Sequence, residues 1–108
     1  MVTVEKEANG DLKLYVDAQE LRVKGTNHVI FWRLDNAAGQ NYKFPSNGIA
    51  FKTPEGKLQF INCAPVGGST NTTFRCTDKN TVQDKFAYAI TVSGAPAVPV
   101  LDPWIINQ

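Results

Sequence analysis

Ligands for transition metals are scarce in this chain. Its 108 residues include one histidine, His28, one methionine, Met1, and two cysteines, Cys63 and Cys76. A type 1 copper centre draws on two imidazoles and a thiolate, with an axial thioether or equivalent. A single chain with one histidine does not complete that set. Tetrahedral zinc is short of a ligand for the same reason. Basic runs are missing too. Eleven Lys and Arg are scattered among ten Asp and Glu, for a formal net charge of +1. That excludes the clustered basic footprint of sequence-independent nucleic-acid binding. No apolar stretch reaches the length of a membrane-spanning helix, so membrane insertion is not expected. The opening "MVTVEKEANGDL" lacks the basic and apolar regions of a signal peptide. The expectation is a soluble protein, cytoplasmic or periplasmic, and no repeat or low-complexity segment interrupts it.

Catalytic constellations are equally thin. Ser46, Ser69 and Ser93 fall in turns, and none lies in a Gly-x-Ser-x-Gly elbow. A single histidine is the only candidate base for a Ser–His or Cys–His pair. "GGST" lacks the lysine and following helix of a phosphate-binding loop. Most carboxylates, Asp78 and Asp84 among them, fall in expected turns, where Asp commonly accepts from nearby backbone amides. The chain is therefore read as a non-enzyme with no cofactor. Asn71-Thr72-Thr73 matches a glycosylation sequon, which matters only in a eukaryotic secretory pathway.

What the chain does have is a pattern of period two. "DKFAYAITVSG" puts Phe86, Tyr88, Ile90 and Val92 on one face and Ala87, Ala89 and Thr91 on the other. "HVIFWRLDN" separates Ile30, Trp32 and Leu34 from Val29, Phe31 and Arg33. A strand apolar on both faces is expected to be central and covered twice. Shorter strands are expected over residues 2–6, 12–16, 21–24, 42–44, 49–52, 57–63 and 72–77. Between them lie turn signals: Asn9-Gly10 as a hairpin turn, "DNAAGQ", "SNG", "TPEG" and "VGGST". No window of helical length shows a helical stripe. Many short strands at near-regular spacing predict one all-β domain over residues 1–108, a two-sheet antiparallel sandwich of about seven to nine strands.

The ending "LDPWIINQ" is unusually apolar for a terminus. Pro103 confines a strand there to a sheet edge or to a strand start. Alternation places Trp104 and Ile106 on one face and Ile105 on the other, and such residues dock rather than fray. A core strand of Trp104, Ile105 and Ile106 is the expectation, with Trp104 and Ile106 closing one edge of the sandwich.

The spacing of Phe86, Tyr88, Ile90 and Val92, followed by Leu101-Asp102-Pro103-x-Ile105-Ile106-Asn107, resembles a group of small uncharacterised bacterial proteins. Those are immunoglobulin-like or cupredoxin-like sandwiches. "VKGTNHVIFWRLDN" is similar to the second and third strands of cupredoxin-like sandwiches. The resemblance implies that fold and a bacterial origin, and it carries no assigned activity.

Two constellations remain open. If 67–71 is a hairpin tip, Cys63 faces Cys76 and Val66 faces Thr73, close enough for a disulfide. Pro65 interrupts that register, and the alternative is a pair of buried thiols in a reducing compartment. Phe31, Tyr42, Phe44 and Phe51 form either an exposed surface for a protein or small-molecule partner, or the core layer of the second sheet. The expected function is a non-catalytic binding or accessory module acting through loops or an edge strand. A ligand pocket or small enzyme between the sheets is the alternative, as is self-association through sheet edges. Loops carry most function grafted onto sandwiches, which singles out residues 35–40, 45–48 and 65–71.

Overall fold

The computed structural model describes residues 1–6, 10–37, 39–67 and 70–108. Among these the chain forms nine strands and one short helix: β1 (Val2–Lys6), β2 (Leu12–Val16), β3 (Glu20–Val23), β4 (His28–Asp35), β5 (Ile49–Phe51), α1 (Pro54–Gln59), β6 (Phe60–Val66), β7 (Thr73–Asp78), β8 (Lys85–Ile90) and β9 (Trp104–Asn107). They build a sandwich of two packed sheets, ordered β2-β1-β4-β7-β6 and β3-β9-β8-β5. The expected Asn9-Gly10 turn and the centre of the 67–71 tip lie outside the described residues.

Both sheets are mixed, which corrects the antiparallel expectation. β1 runs parallel to β4 and β3 runs parallel to β9. Sequence alternation shows which residues face inward but not which strands meet. Only hairpin neighbours are forced to be antiparallel. After β1 and β2 the chain crosses to the other sheet for β3 and returns as β4, so β4 is free to arrive beside β1 in the same direction.

Aromatic side chains from the two sheets fill the space between them. Phe51 of β5 stacks on Phe60 of β6 with ring centroids 3.9 Å apart, and Phe60 meets Phe86 of β8 edge-on at 5.7 Å. Trp32 of β4 meets Tyr88 of β8 at 5.6 Å, and its indole Nε1 donates to the Tyr88 hydroxyl at 3.1 Å. Burial pushes the Tyr88 phenol up to about 12, against the opposing effect of that indole bond. The inward alternation of β8 is as its pattern implies, with Phe86, Tyr88 and Ile90 all buried. β4 is central but covered on one face only. Trp32 and Leu34 face the core, whereas Val29 and Phe31 are 46% and 51% exposed on the outer face of their sheet.

Three local expectations change. Residues 42–44 make a single bridge, Lys43 with Ser93, instead of a strand. The stretch 57–63 starts helical, because Thr53 caps α1 by accepting from Gly56 N at 3.1 Å and Pro54 occupies its first turn. The third change concerns the end of the chain. β9 lies inside its sheet, between β3 and β8, rather than at an edge. Its inward residues are Ile105 and Asn107, while Trp104 and Ile106 are half-buried on the other side. Pro103 explains the inversion. It is fully buried, and its carbonyl accepts from Tyr88 N at 3.0 Å. Period two then carries Ile105 inward with it. Trp104 donates from Nε1 to Glu20 Oε2 at 2.8 Å and lies under Lys85 Nζ, 4.1 Å from the ring centroid.

Candidate functional site

Of the two readings left open for the four aromatic residues, the core layer holds for three and the exposed surface for one. Tyr42, Phe44 and Phe51 are 2%, 1% and 5% exposed, and only Phe31 reaches solvent. A sandwich needs large apolar groups between its sheets, and these three supply them. Phe44 packs edge-on against Phe74 at 5.9 Å, and Phe51 stacks on Phe60. Tyr42 has a further role: its hydroxyl donates to the Pro96 carbonyl at 2.6 Å.

Cys63 and Cys76 are joined as a disulfide with Cα atoms 4.1 Å apart. The pairs Ala64 with Arg75, Pro65 with Phe74 and Val66 with Thr73 keep the register that the hairpin reading implies. The register then shifts between Ile61 and Ala64, where Asn62 takes a φ of 56°. This bulge gives β6 two residues, Asn62 and Cys63, against Cys76 alone. β6 is an edge strand, and its edge is guarded: Pro65 has no N–H to offer, the bulge bends the strand and the bridge clamps it.

The opposite edge of the same sheet is different. Among the described residues β2 pairs with β1 alone. The Asp17 amide donates to the Met1 carbonyl at 3.2 Å, and these residues continue the β1–β2 register. In an antiparallel ladder hydrogen-bonded pairs alternate, so Lys13 and Tyr15 turn their backbone groups toward β1. Leu12, Leu14 and Val16 turn theirs outward. β2 contains no proline and no bulge.

A groove runs along this edge, facing the loop that leaves β8. The loop is pinned at its start, where Lys43 and Ser93 exchange backbone bonds of 2.9 and 2.8 Å. It is pinned again where Leu101 bridges Ile90. Gly94 has a φ of 149°, and a Cβ there would stand 2.6 Å from the Tyr42 ring, so only glycine passes. Beyond it Ala95, Pro96, Ala97, Pro99 and Val100 are exposed. Three adjoining concavities of about 460, 280 and 280 Å³ separate β2 from this loop, sharing Leu12, Lys13, Pro96 and Pro99 as walls. The sequence carried a signal for the loop: residues 86–101 contain no charged side chain. An exposed, uncharged stretch of this kind marks a contact surface.

A polar concavity of about 470 Å³ lies among Asn36, Asn41, Lys43, Thr70 and Thr72; of these Asn36 and Thr70 belong to the loops singled out from sequence. Asn36 is occupied in bracing Tyr42, accepting from its N–H and donating to its carbonyl. Asp78, Asn80 and Asn107 form a buried polar cluster at the other end of the sandwich. Burial raises the Asp78 carboxyl above its ordinary 3.8, opposed by the Asn80 backbone bond, the Asn107 side chain and the charge of His28. Among the described residues no three or more His, Cys, Asp or Glu side chains gather to hold a metal ion. No helix among them is long and apolar enough to cross a membrane. Compared with known protein families and with curated proteins, the chain matches none.

Proposed function

We propose that this protein is a non-catalytic binding module that takes an extended segment of a partner protein as an added strand along β2. The observation that carries the reading is the coincidence of a regular edge strand with a groove beside it whose far wall, the 94–100 loop, is uncharged. Leu12, Leu14 and Val16 offer main-chain donors and acceptors, and the 94–100 loop offers an apolar wall for alternate side chains of the incoming strand. Two parallel strand pairs depart from the antiparallel immunoglobulin arrangement, which supports the cupredoxin-like member of the two expected fold types. The Cys63–Cys76 bridge supports an oxidising compartment, the periplasm of the two placements expected.

Panning a random heptapeptide library against the folded protein tests this. The selected peptides should alternate apolar residues and shift amide resonances of residues 12–16 and 95–101. N-methylation at alternate positions, which removes the donors on one edge of the peptide, should abolish binding. Val100→Asp should abolish it too. Amide shifts confined to other faces, or indifference to N-methylation, would overturn the proposal.

A further inference from the structure

Four polar side chains are buried among the described residues: Gln59, Asp78, Asn80 and Asn107. Gln59 is fully matched on its carbonyl side, accepting from the amides of Thr81 at 2.9 Å and Val82 at 3.2 Å. The other three are not. Asp78 Oδ2, Asn80 Oδ1 and Asn107 Oδ1 are each sealed from solvent with no hydrogen-bond partner. All three are acceptors, so the cluster is short of donors.

The amide nitrogens are committed and fix the orientation of their oxygens. Asn80 Nδ2 reaches the carbonyls of Val23, Gly25 and Gln108 at 3.2, 2.7 and 3.2 Å. Asn107 Nδ2 donates to the Val82 carbonyl at 3.2 Å. Turning the Asn80 amide over would forfeit three bonds, and turning that of Asn107 would forfeit its bond to Val82. The remaining atom that can change is Asp78 Oδ2. Its companion Oδ1 already accepts from Asn80 N at 3.0 Å, and the Asn107 side chain lies against the carboxyl. An ionised carboxylate here is a costly buried charge, offset by the Asn80 amide, the Asn107 side chain and His28 but left with Oδ2 unmatched. A protonated one converts an orphan acceptor into the donor the cluster lacks.

We propose that protonated Asp78 supplies the donor this cluster lacks, and that its ionisation is a pH-set latch on the ends of β3 and β9. The latch position follows from the bonds. Asn80 ties the turn after β7 to the end of β3 and to Gln108, and Asn107 ties β9 to Val82. Among the described residues, the titratable group facing Asp78 from the elements packed on it is His28, its partner across the β4–β7 ladder. From β6 it meets Phe60, from β9 Asn107 and from the turn Asn80. Lys79 flanks the turn half-buried, and Asp84 and Lys85 lie exposed at its far end.

Because the folded carboxyl holds its proton more tightly than the unfolded one, its contribution to stability is complete below the ordinary value of 3.8. It declines as pH rises through the folded value.

The test pairs a carboxyl ¹³C NMR titration of wild type with thermal melts of wild type and Asp78→Asn across the same pH range. The Asp78 resonance should titrate with a midpoint above 3.8. The melting temperature of wild type should fall relative to that of D78N as pH rises through that midpoint. Amides of residues 79–84 and 104–107 should exchange faster above it. A midpoint at or below 3.8 would overturn the proposal, as would a difference in melting temperature that grows in favour of wild type. Unchanged exchange would remove the latch. Stabilisation of wild type but not D78N by calcium at neutral pH would also overturn it, because the three oxygens would then hold a cation. If D78N does not fold, the wild-type titration decides alone.

Discussion

The two edges of the five-stranded sheet solve the same problem in opposite ways. β6 ends the sheet with a proline, a bulge and a disulfide within four residues, Asn62 to Pro65. β2 ends it with five regular residues and outward backbone groups at every second position. Unpaired edges invite pairing with other chains, and natural sheets guard them when pairing is harmful. A molecule that guards one edge so heavily shows that its sequence has the means to guard both. The open edge lies beside a groove.

The largest effect should come from dismantling the guarded edge. Replacing both cysteines, C63A with C76A, reopens a loop of sequence separation 13 and should cost about 3 kcal/mol, read from the denaturation midpoint. If most of the bridge's value lies in holding the edge strand, hydrogen exchange along β6 should rise more than elsewhere.

Gly94→Ala should come next. The added Cβ meets the Tyr42 ring at 2.6 Å in a backbone region that only glycine adopts readily. A loss of about 1–3 kcal/mol is expected. The groove should change shape at the same time, seen as altered amide shifts for residues 95–101. A neutral substitution would mean that the loop is not held against Tyr42.

Smaller still is Val100→Asp. An exposed side chain away from caps and cavities moves stability by about 0.5 kcal/mol or less. Its melting curve should therefore overlie that of wild type while peptide binding is lost. Pro65→Val should have a similarly small effect on stability, and it restores an N–H to β6. Sedimentation should show it monomeric as long as the bulge and disulfide persist. A dimer would place the guard in the proline alone.

Alternation made the strands legible. Phe86, Tyr88 and Ile90 are buried as their spacing implies, and the nine strands match the expected segments closely except over residues 42–44 and the start of 57–63. The exceptions have local causes. "TPEG" satisfies both a turn and a helix cap, and only the bond from Gly56 N to Thr53 Oγ1 distinguishes them. The face of β9 was hidden because a proline is not expected to be a core residue, and Pro103 is one. Pairings that join distant parts of the chain were beyond a periodic reading. So was the groove, whose walls at residues 12–14 and 95–101 meet only in the folded molecule. Asp78 was legible as a turn former, since it does accept from Asn80 N. Its burial was not.

The position of β9 also bears on how the molecule is made. β3 has β9 as its sheet neighbour, and the bond from Trp104 to Glu20 spans 84 residues. A ribosome adding ~5–20 residues per second separates the two by roughly 4–17 s. For that interval Leu21 and Val23 have no strand beside them, and β8 lacks the neighbour that will separate it from β3. Non-local pairings of this kind are slow to form even in a complete chain. The nascent protein therefore passes through a stage in which one sheet can assemble while the other is open at its centre, and a chaperone that shields strands has its natural opportunity there.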